Sequence, residues 1–533
     1  MNTTALRQKI LDLAIHGKLV KQDPTDENAA VLLEKIRAEK EKKIASGELK
    51  RDKNDSHIFI GDDNRHYEKF ADGRIKDIED ELPFAVPEGW AWCRLGDVCE
   101  IISGTSYQKN DIISNGALRI LRGGNIQNND LILRSDDVFI HDKYIDSRKN
   151  ITVGDIIIVA STGSTNVIGK PAFIDKDYAT TQIGAFLRII RILFFPISKY
   201  ISFIFQSEYY VNYIQNNIKG TNINNIKADH LQKMLLPIPS LSEQQRIVNI
   251  IEAIFAQIDL LEQNRTDLQT AIKQAKSKIL DLAIHGKLVP QDPNDEPASV
   301  MLEKLRAEKE AKIAAGKMKR DKNDSYIYKN AADNCYYEKI DGKNDIRIDD
   351  ELLFELPKSW QWTKLGRICD KLIDGDHNPP KGIEEKTEYI MVSSRNINYN
   401  TVADLENVRY LTKEMFEAEN LRTNATAGDI LFTSVGSLGR SCIYDGSLNI
   451  CFQRSVSILK TAIYNKYLKF FFDSKFYQNY VVEHATGTAQ TGFYLQEMAE
   501  SFIAIPPILE QKRIVAKIEE LFNALDKIQN NLI

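Results

Sequence analysis

The chain contains two copies of the same sequence. Residues 9–20 and 278–289 both read KILDLAIHGKLV. Downstream of each copy come QDPTDE or QDPNDE, then LLEKIRAEKE or MLEKLRAEKE, and KRDKNDS begins at both Lys50 and Lys319. Two copies are too few for a stacked repeat array, and 533 residues exceed one ordinary hydrophobic core. The sequence therefore predicts a duplicated protein with at least two domains.

The stretches between these copies are also paired, although less closely. VPEGWAWCRLGD from Val86 matches LPKSWQWTKLGR from Leu356, and LPIPSLSEQQRIV matches IPPILEQKRIV further along the chain. Between these opening and closing motifs the matched letters differ strongly. This pattern predicts two domains, at 83–240 and 348–507, that share a scaffold and present different surfaces.

A long helix with an apolar seam is predicted after the first domain. No proline or glycine occurs between Pro239 and Gly286, and apolar residues recur there in steps of three and four. The C-terminal residues keep the same phase, and the predicted seam consists of Ile247, Ile251, Ile254, Ile258, Leu261, Leu268, Ile272, Ile279, Ile514, Ile518, Leu521, Leu525 and Ile528. This spacing is typical of a coiled coil, and the central helix would be roughly 65 Å long. The alternative is an ordinary helix with one buried face.

The two chain ends repeat the two halves of this helix. Leu6, Ile10 and Leu13 occupy the phase of residues 275, 279 and 282 near its end, whereas the C-terminal stretch repeats its beginning. A C-terminal and an N-terminal helix together therefore equal one central helix cut in the middle. The sequence predicts a pseudo-twofold, circularly ordered molecule in which the termini meet and this second helix lies antiparallel to the first.

The predicted fold class is α+β, with two similar α/β domains separated by an antiparallel coiled coil of long helices. Strands are expected at Ile156–Val159 and Ile430–Thr433, and helices near 199–214 and 466–484. Five segments are predicted: an N-terminal helical region at 1–82, the first domain at 83–240, a central region with the long helix at 241–347, the second domain at 348–507 and a C-terminal helix at 508–533.

Two highly charged tracts follow the repeated sequences. They begin at Arg37 (RAEKEKKIASGELKRDK) and at Arg306 (RAEKEAKIAAGKMKRDK), and both mix positive and negative charges. A solvated helix face has this composition, and so does an arm that docks on a partner or on phosphate. The sequence leaves both interpretations open.

The residues do not form an enzyme site. Asp376 begins DHNPPK, but an amino-methyltransferase has an aromatic residue where Lys381 stands, and no glycine-rich cofactor loop precedes it. The segment from Gly163 to Pro171 departs from a phosphate-binding loop in its spacing and in the final proline. Histidines show no metal-ligand spacing, and six scattered cysteines form no CxxC pair, so reduced thiols are expected. The sequence thus predicts a chain without catalytic residues, bound metal or cofactor.

Loops rich in DNA-reading side chains recur at matched places in the two domains. Arg suits guanine, Asn and Gln suit adenine, and Ser or Thr bind bases or phosphate. The candidates in the first domain are Ser103, Thr105, Ser106, Tyr107, Arg122, Asn125, Ser161, Thr162, Ser164, Asn166, Lys170, Thr221, Asn222 and Asn224. Those in the second domain are His377, Asn378, Lys381, Ser394, Arg395, Asn396, Ser434, Ser437, Arg440, Thr488 and Gln490. Two domains that helices hold apart are suited to a ligand that has two features a fixed distance apart, and double-stranded DNA is such a ligand.

These motifs resemble those of the specificity subunits of type I restriction–modification systems. The resemblance lies in LDLAIHGKLVPQDPNDEPASVMLEKLRAEK, in the (V/L)PxxWxWxxLG openings and in the P(S/P)(L/I)xEQxRIV closings, and it covers nearly the entire chain. It implies two target-recognition domains that each read a short DNA half-site, with helical regions that bind two methyltransferase subunits. It also implies two restriction subunits. S-adenosylmethionine, ATP and Mg²⁺ would belong to these partners and not to this chain.

Charge and the absence of targeting signals complete the expectation. A net charge of −5 does not favour binding to DNA phosphates by this protein alone. Partner subunits are therefore expected to neutralise much of the phosphate charge. No apolar run is long enough to span a bilayer and no signal peptide is evident, which predicts a cytoplasmic protein without membrane contact. Two rival interpretations are a coiled-coil scaffold that binds protein, and a fused methyltransferase–specificity enzyme, which would need several hundred more residues.

Overall fold

The computed structural model divides the chain into two compact units, unit 1 (Met1–Asn264) and unit 2 (Arg265–Ile533). Each unit has its own buried core. The structure describes residues 2–52, 55–114, 116–162, 167–218, 224–316, 320, 324–340, 345–352, 354–487 and 491–531. Within these ranges, no helix combines the length and apolar composition needed to cross a bilayer.

Unit 1 combines helices with short strands. Its helices are α1 (Thr3–Ile15), α2 (Ala29–Ala45), α3 (Leu95–Val98), α4 (Ser198–Ile204), α5 (Glu208–Ile218), α6 (Ala228–Gln232) and the first part of α7 (Leu241–Ile284). Its strands are β1 (Ser56–Ile60), β2 (His66–Phe70), β3 (Ile75–Asp77), β4 (Ala91–Arg94), β5 (Cys99–Ser103), β6 (Leu118–Leu121), β7 (Ile126–Gln127), β8 (Asp130–Leu131), β9 (Val138–Ile140), β10 (Ile156–Val159), β11 (Ser161–Thr162), β12 (Pro171–Phe173), β13 (Thr181–Ile183), β14 (Leu187–Ile192), β15 (Asn224–Asn225) and β16 (Leu235–Ile238).

Two sheets form the centre of unit 1. The larger has the strand order β12–β10–β14–β5 with antiparallel neighbours, and the smaller has the order β13–β6–β9, in which β13 and β6 are parallel. Successive residues of a strand face opposite sides of a sheet. Ile156 and Ile158 accordingly belong to the core that contains α4 and α5, and Ile157 and Val159 belong to a core that includes residues of the smaller sheet. A strand buried on both faces explains the unbroken apolar run of β10.

Unit 2 repeats this composition after the second part of α7. Its further helices are α8 (Ala298–Ala314), α9 (Leu365–Ile368), α10 (Lys413–Thr423), α11 (Asn465–Asp473), α12 (Lys475–Glu483), α13 (Leu495–Glu500) and α14 (Ile508–Asn530). Its strands are β17 (Ser325–Lys329), β18 (Tyr336–Ile340), β19 (Ile346–Arg347), β20 (Gln361–Lys364), β21 (Cys369–Asp374), β22 (Tyr389–Val392), β23 (Arg409–Tyr410), β24 (Ile430–Thr433), β25 (Ser441–Ile443), β26 (Asn449–Phe452), β27 (Val456–Thr461) and β28 (Phe502–Ile505).

The sheets of unit 2 have the same topology as those of unit 1. The larger has the order β21–β27–β24–β25, and the smaller has the order β23–β22–β26 with β22 and β26 parallel. Ile430 and Phe432 pack in the core with α11 and α12, whereas Leu431 faces the core that includes residues of the smaller sheet. The strands predicted at Ile156–Val159 and Ile430–Thr433 are confirmed as β10 and β24.

The two predicted helices that follow these sheets are each broken once. The stretch near 199–214 forms α4 and α5, and the stretch near 466–484 forms α11 and α12. Ser474 explains the second break: its hydroxyl donates to the carbonyl of Phe471 at 2.6 Å and accepts from the amide of Tyr477 at 3.3 Å. One serine therefore ends α11 and caps α12.

Each unit contains an antiparallel helix pair that involves one part of α7. In unit 1, α1 and the segment after it run against α7, with ion pairs Arg7–Asp259 at 2.6 Å and Asp26–Arg246 at 2.7 Å. In unit 2, α14 runs against the other part of α7, and the matched ion pairs are Lys276–Asp526 at 2.5 Å and Asp295–Arg513 at 2.6 Å. The duplication thus extends to individual contacts.

The predicted seam is buried near the ends of α7 and exposed in its middle. Ile247, Ile251, Ile258, Ile272, Ile514 and Ile518 are buried, and Ile254, Ile279, Leu521 and Leu525 are partly buried. Leu261, Leu268 and Ile528 are 51%, 38% and 46% exposed, so the seam is buried only in part among the described residues and the coiled coil stays a prediction. The helix that packs against α7, α1 in unit 1 and α14 in unit 2, is shorter than α7 and therefore buries only part of its apolar face.

Two small sheets were not predicted from the sequence. Strands β1–β2–β3 lie in the segment 1–82, which the sequence predicted to be helical, and strands β17–β18–β19 lie in the segment 241–347. The helical prediction for 1–82 is therefore wrong in its second half. Glu68 of β2 is buried and forms an ion pair with Arg94 of β4 at 2.8 Å, which fixes this sheet to the domain that follows.

Gly286 ends α7 in the left-handed conformation, with φ at +65°. The amide of Lys287 donates to the carbonyl of Leu282 at 2.8 Å, as expected at a glycine-terminated helix. A Cβ atom at Gly286 would lie 2.5 Å from Cγ of Pro357. The glycine is thus required both by its backbone angle and by close packing, and the prediction that α7 ends here is confirmed.

We expect Gly286→Ala to destabilise unit 2 by more than the 1–2 kcal/mol (approximate) that a left-handed backbone costs a non-glycine residue. Gly316 is a matched control, because its φ is +71° but a Cβ atom there would meet none of the described residues within 4 Å. Denaturant unfolding of both variants measures the difference. Equal losses of stability would show that packing against Pro357 is unimportant.

Candidate nucleic-acid interface

In unit 1, loops at one end of the two central sheets converge. Thr105 forms a parallel bridge with Gly184, whose amide donates to the carbonyl of Leu121 at 2.8 Å. The amide of Ser161 donates to the carbonyl of Phe186 at 3.0 Å, and β11 pairs with β15. Five segments therefore meet, and together they are called edge 1: 103–107, 121–125, 160–162, 184–188 and 224–225.

Two predicted contact residues in edge 1 are buried and hold its loops in place. Thr105 Oγ1 donates to Gln182 Oε1 at 3.1 Å. Asn125 Nδ2 donates to Asp137 Oδ1 at 2.6 Å, and Asn125 Oδ1 accepts from the amide of Arg122 at 2.8 Å. Thr105 and Asn125 are only 4% and 2% exposed, so these side chains position the loops from inside.

The other described candidates of unit 1 reach solvent to differing extents. Ser103, Ser106, Arg122 and Lys170 are exposed, and Tyr107, Ser161 and Thr162 are partly buried. One guanidinium nitrogen of Arg122 donates to the carbonyl of Asp136 at 3.1 Å, while half of that side chain remains exposed. Ser164, Asn166, Thr221 and Asn222 lie outside the described residues, and Asn224 is described only as part of β15.

The corresponding loops of unit 2 converge in the same way. The amide of Asp376 donates to the carbonyl of Phe452 at 2.8 Å, and the amide of Ser434 donates to the carbonyl of Ser455 at 3.0 Å. Asp376 also forms a parallel bridge with Gln453, as Thr105 does with Gly184. The meeting segments are called edge 2: 374–381, 393–396, 433–440, 453–457 and 491–493.

Three predicted contact residues of edge 2 are buried. Asn396 Oδ1 accepts from the amide of Ser393 at 3.0 Å, which repeats the arrangement of Asn125 and Arg122. The hydroxyl of Ser434 shares a hydrogen bond with the hydroxyl of Ser457, and Ser394 is 8% exposed. The side chains of Asn396 and Ser434, like those of Thr105 and Asn125, stabilise the loops, and the amide of Ser394 donates to Oγ of Ser455 at 3.0 Å.

An ion-pair network holds the start of the DHNPPK loop. Asp374 accepts from Nε2 of His377 at 2.7 Å and from the guanidinium of Arg422 at 2.8 Å. Arg422 belongs to α10, which packs on β22 and β26. Helix α10 therefore fixes the position of a loop whose His377 side chain remains exposed.

The Asn-Pro-Pro part of this loop is an anchored turn. Arg409 donates to the carbonyl of Pro380 at 2.9 Å, and Asn378 and Lys381 are exposed beside it. Among the remaining candidates of unit 2, Arg395 is exposed, Ser437 and Arg440 are partly buried, and Thr488 and Gln490 lie outside the described residues.

Sequence reasoning missed the turn at the centre of each edge. The turn spans 184–186 in unit 1 and 453–455 in unit 2, and it joins the parallel-paired strand to an internal strand of the larger sheet. Its exposed members are Ala185 and Phe186 in unit 1 and Arg454 in unit 2. The sequence did contain a signal for this turn. GAF lies between the strand sequences TQI and LRII in unit 1, and QRS lies between the corresponding sequences ICF and VSIL in unit 2.

A protein-family model matches both units. Residues 87–270 and 357–533 match the family described as the type I restriction modification DNA specificity domain. The two matched regions contain all strands of the two central sheets, including both edges. Together they cover more than half of the chain.

Curated relatives are similar over most of their length. The chain is 26% identical over 604 residues to the type I restriction enzyme EcoEI specificity subunit of Escherichia coli, covering 99% of this chain and 90% of that protein. It is 25% identical over 601 residues to the EcoAI specificity subunit of the same species, with coverages of 98% and 90%. The EcoKI specificity subunit of strain K12 is 24% identical over 469 residues, with coverages of 84% and 85%.

A solved structure shares the fold. It comes from work on complex assembly and conformational transition of the type I R-M system, and it aligns with a TM-score of 0.53 at 17% identity. The alignment covers 84% of this chain and 94% of that chain.

Proposed function

The chain belongs to the type I restriction–modification DNA specificity family, and from this premise we propose that each unit reads one half of a two-part DNA sequence. DNA-target recognition is the general role of this family. The sequence-based prediction of a specificity subunit is therefore confirmed. Specificity subunits are not catalytic, so the chain directs chemistry that other subunits perform.

The two units build the same loop edge from different exposed side chains, and this observation carries the proposal. The bridges Thr105–Gly184 and Asp376–Gln453 occupy corresponding places. The exposed side chains at the two edges differ: Ser103, Ser106, Arg122 and Phe186 in unit 1, and His377, Asn378, Arg395 and Arg454 in unit 2. One frame with two sets of hydrogen-bonding and apolar groups suits the reading of two base sequences.

In the proposed complex, two methyltransferase subunits bind the helical regions and two restriction subunits complete the assembly. The methyltransferase subunits would hold S-adenosylmethionine, and the restriction subunits would use ATP and Mg²⁺, so this chain itself would bind none of them. A net charge of −5 supports a role for partners in neutralising DNA phosphates. The proposed location is the cytoplasm, where such a complex meets DNA.

In the same proposal, α14 and α1 together form a second helix that lies antiparallel to α7 and sets the distance between half-sites. The antiparallel pairs found separately in unit 1 and unit 2 support it, as do their matched ion pairs. Met1 and Ile533 lie outside the described residues, so the meeting of the termini stays a prediction.

Exchanging one domain tests the proposed function. We expect replacement of residues 83–240 by the corresponding domain of another family member to change one half of the methylated sequence only. Sequencing of methylated bases in cells that express the full system measures this. The matched control is exchange of 348–507, which should change the other half.

The rival interpretation, a coiled-coil scaffold that binds only protein, predicts that neither exchange alters the methylated sequence. A change in both halves after a single exchange would also contradict the proposal, because the two edges would then not read DNA independently.

A further inference from the structure

The turns at 184–186 and 453–455 lie at the centre of edge 1 and edge 2. In unit 1, the carbonyl of Phe186 accepts from the amides of Ala160 and Ser161 at 2.8 and 3.0 Å. In unit 2, the carbonyl of Ser455 accepts from the amide of Ser434 at 3.0 Å. The turn that faces solvent is therefore fixed by backbone hydrogen bonds, as precise reading of bases requires.

Phe186 projects from this fixed turn with 68% of its surface exposed. The amide of Leu187 donates to the carbonyl of Gly184 at 2.9 Å, which closes the turn around it. Burying a large apolar side chain that was exposed to water lowers the free energy. Contact with a thymine methyl group or with a base step would remove this apolar surface from water.

Arg188 follows Phe186 by two residues and lies on β14, opposite Ser103 of β5. One of its guanidinium nitrogens donates to the carbonyls of Ala185 and Leu187 at 2.9 and 2.8 Å. Among the described residues, no carboxylate lies within ion-pair distance of Arg188, and its Nε is buried without an acceptor. Burial lowers its pKa with no opposing charge.

Arg191, three residues further along the same strand, shows the contrast. Its guanidinium forms an ion pair with Asp155 at 2.7 Å and donates to the carbonyl of Asn150 at 2.6 Å. Arg191 thus stabilises unit 1 through an ion pair, whereas no carboxylate among the described residues forms an ion pair with Arg188. A half-buried cation at the centre of a loop edge is suited to an electron-rich acceptor from outside the protein.

Unit 2 carries different residues at the same places. Arg454 occupies the position next to Ser455 and is exposed, and its amide donates to the carbonyl of Asp376 at 2.9 Å. Gln453 precedes it and is partly buried, and Ser457 is buried at the position matched to Arg188. Arg pairs in bidentate fashion with guanine, and Gln pairs in the same way with adenine.

We propose that the segments 184–188 and 453–457 are specificity-determining elements, in which Arg188 and Arg454 read base edges and Phe186 makes an apolar contact. The inference rests on the proposed function, because it assigns base reading to particular residues of the two edges. The competing role is a phosphate contact, which would support affinity without sequence information.

The test uses the full chain assembled with its methyltransferase subunits and a DNA library with randomised half-sites. We expect Arg454→Ala to reduce discrimination at one base pair of the unit 2 half-site by about 5- to 150-fold, with the other half-site unchanged. Arg454→Lys keeps the charge but loses the planar fork, so it should relax the same base pair. Lys413→Ala, which removes an exposed charge from α10, is the matched control and should leave the methylated sequence unchanged.

Arg188→Lys and Phe186→Ser test unit 1 in the same way, with thermal unfolding as a check on folding because Arg188 is half-buried. Relaxation of one base pair in the unit 1 half-site by either variant supports the inference. Uniform loss of methylation with an unchanged sequence in Arg454→Ala, with methylation retained in Arg454→Lys, would identify phosphate contacts and overturn it. An unchanged sequence and rate in all variants would overturn it as well.

Domain exchange separates the two possible failures. If exchange of 83–240 moves one half-site but the turn variants change no base preference, the proposed function stands and the assignment to these turns is wrong. If exchange moves neither half-site, the proposed function itself fails.

Discussion

A pair of seven-residue insertions, one after Leu261 and one after Ile528, is expected to lengthen the gap between the methylated half-sites by about three base pairs. Seven residues add about 10 Å to an α-helix, and B-DNA rises about 3.4 Å per base pair. The half-site bases should stay the same, because neither insertion touches edge 1 or edge 2. Loss of all activity is expected if the partner subunits do not tolerate the longer gap.

The structure favours these two positions for insertion. Leu261 and Ile528 are 51% and 46% exposed, so seven additional residues disturb little packing there. A heptad also keeps the apolar residues of each helix on the same face. The insertion in α7 alone is the control, and it should abolish methylation, since the second helix would no longer match. Altered half-site bases with an unchanged gap would show that the helices do not set the distance.

The duplication made the central sheets predictable. β10 and β24 are continuous apolar runs that follow Gly-Asp, and such runs read as strands buried on both faces. The small sheets β1–β3 and β17–β19 had no comparable signal, because their strands mix charged and aromatic residues. What stabilises them is tertiary, for example the ion pair of buried Glu68 with Arg94, and a partner distant in sequence leaves no local pattern.

The candidate contact residues show a second limit of sequence reasoning. Arg122 and Asn125 are three residues apart in one loop, and both are residue types that bind bases. The structure leaves Arg122 half-exposed and turns Asn125 inward, where it bonds Asp137 and the backbone of its own loop. Composition singled out the loop as a candidate, and the backbone course determines which of its polar side chains remains exposed.

Trp360→Ala is expected to reduce the stability of unit 2 by about 3–5 kcal/mol. Trp360 is 3% exposed and packs edge-on against Tyr467, with ring centroids 6.4 Å apart. Its Nε1 donates to Oε1 of Glu510 at 3.0 Å, at the start of α14. The substitution therefore leaves a cavity and also removes a donor from a buried carboxylate, and both effects loosen the attachment of α14 to the domain. Amide hydrogen exchange of unit 2 measures the loss.

Trp360→Phe separates the two effects, because it fills most of the cavity but lacks the N–H donor. Burial already raises the pKa of Glu510, and loss of the donor should raise it further. When a carboxyl group has a higher pKa in the folded than in the unfolded protein, the folded state becomes less stable as the pH rises above the unfolded-state pKa. The destabilisation by Trp360→Phe should therefore be larger at pH 8 than at pH 5. Adding Glu510→Gln should remove this pH dependence, since no charge is then buried. The same destabilisation at both pH values would show that packing alone, and not the Trp360–Glu510 hydrogen bond, fixes the start of α14.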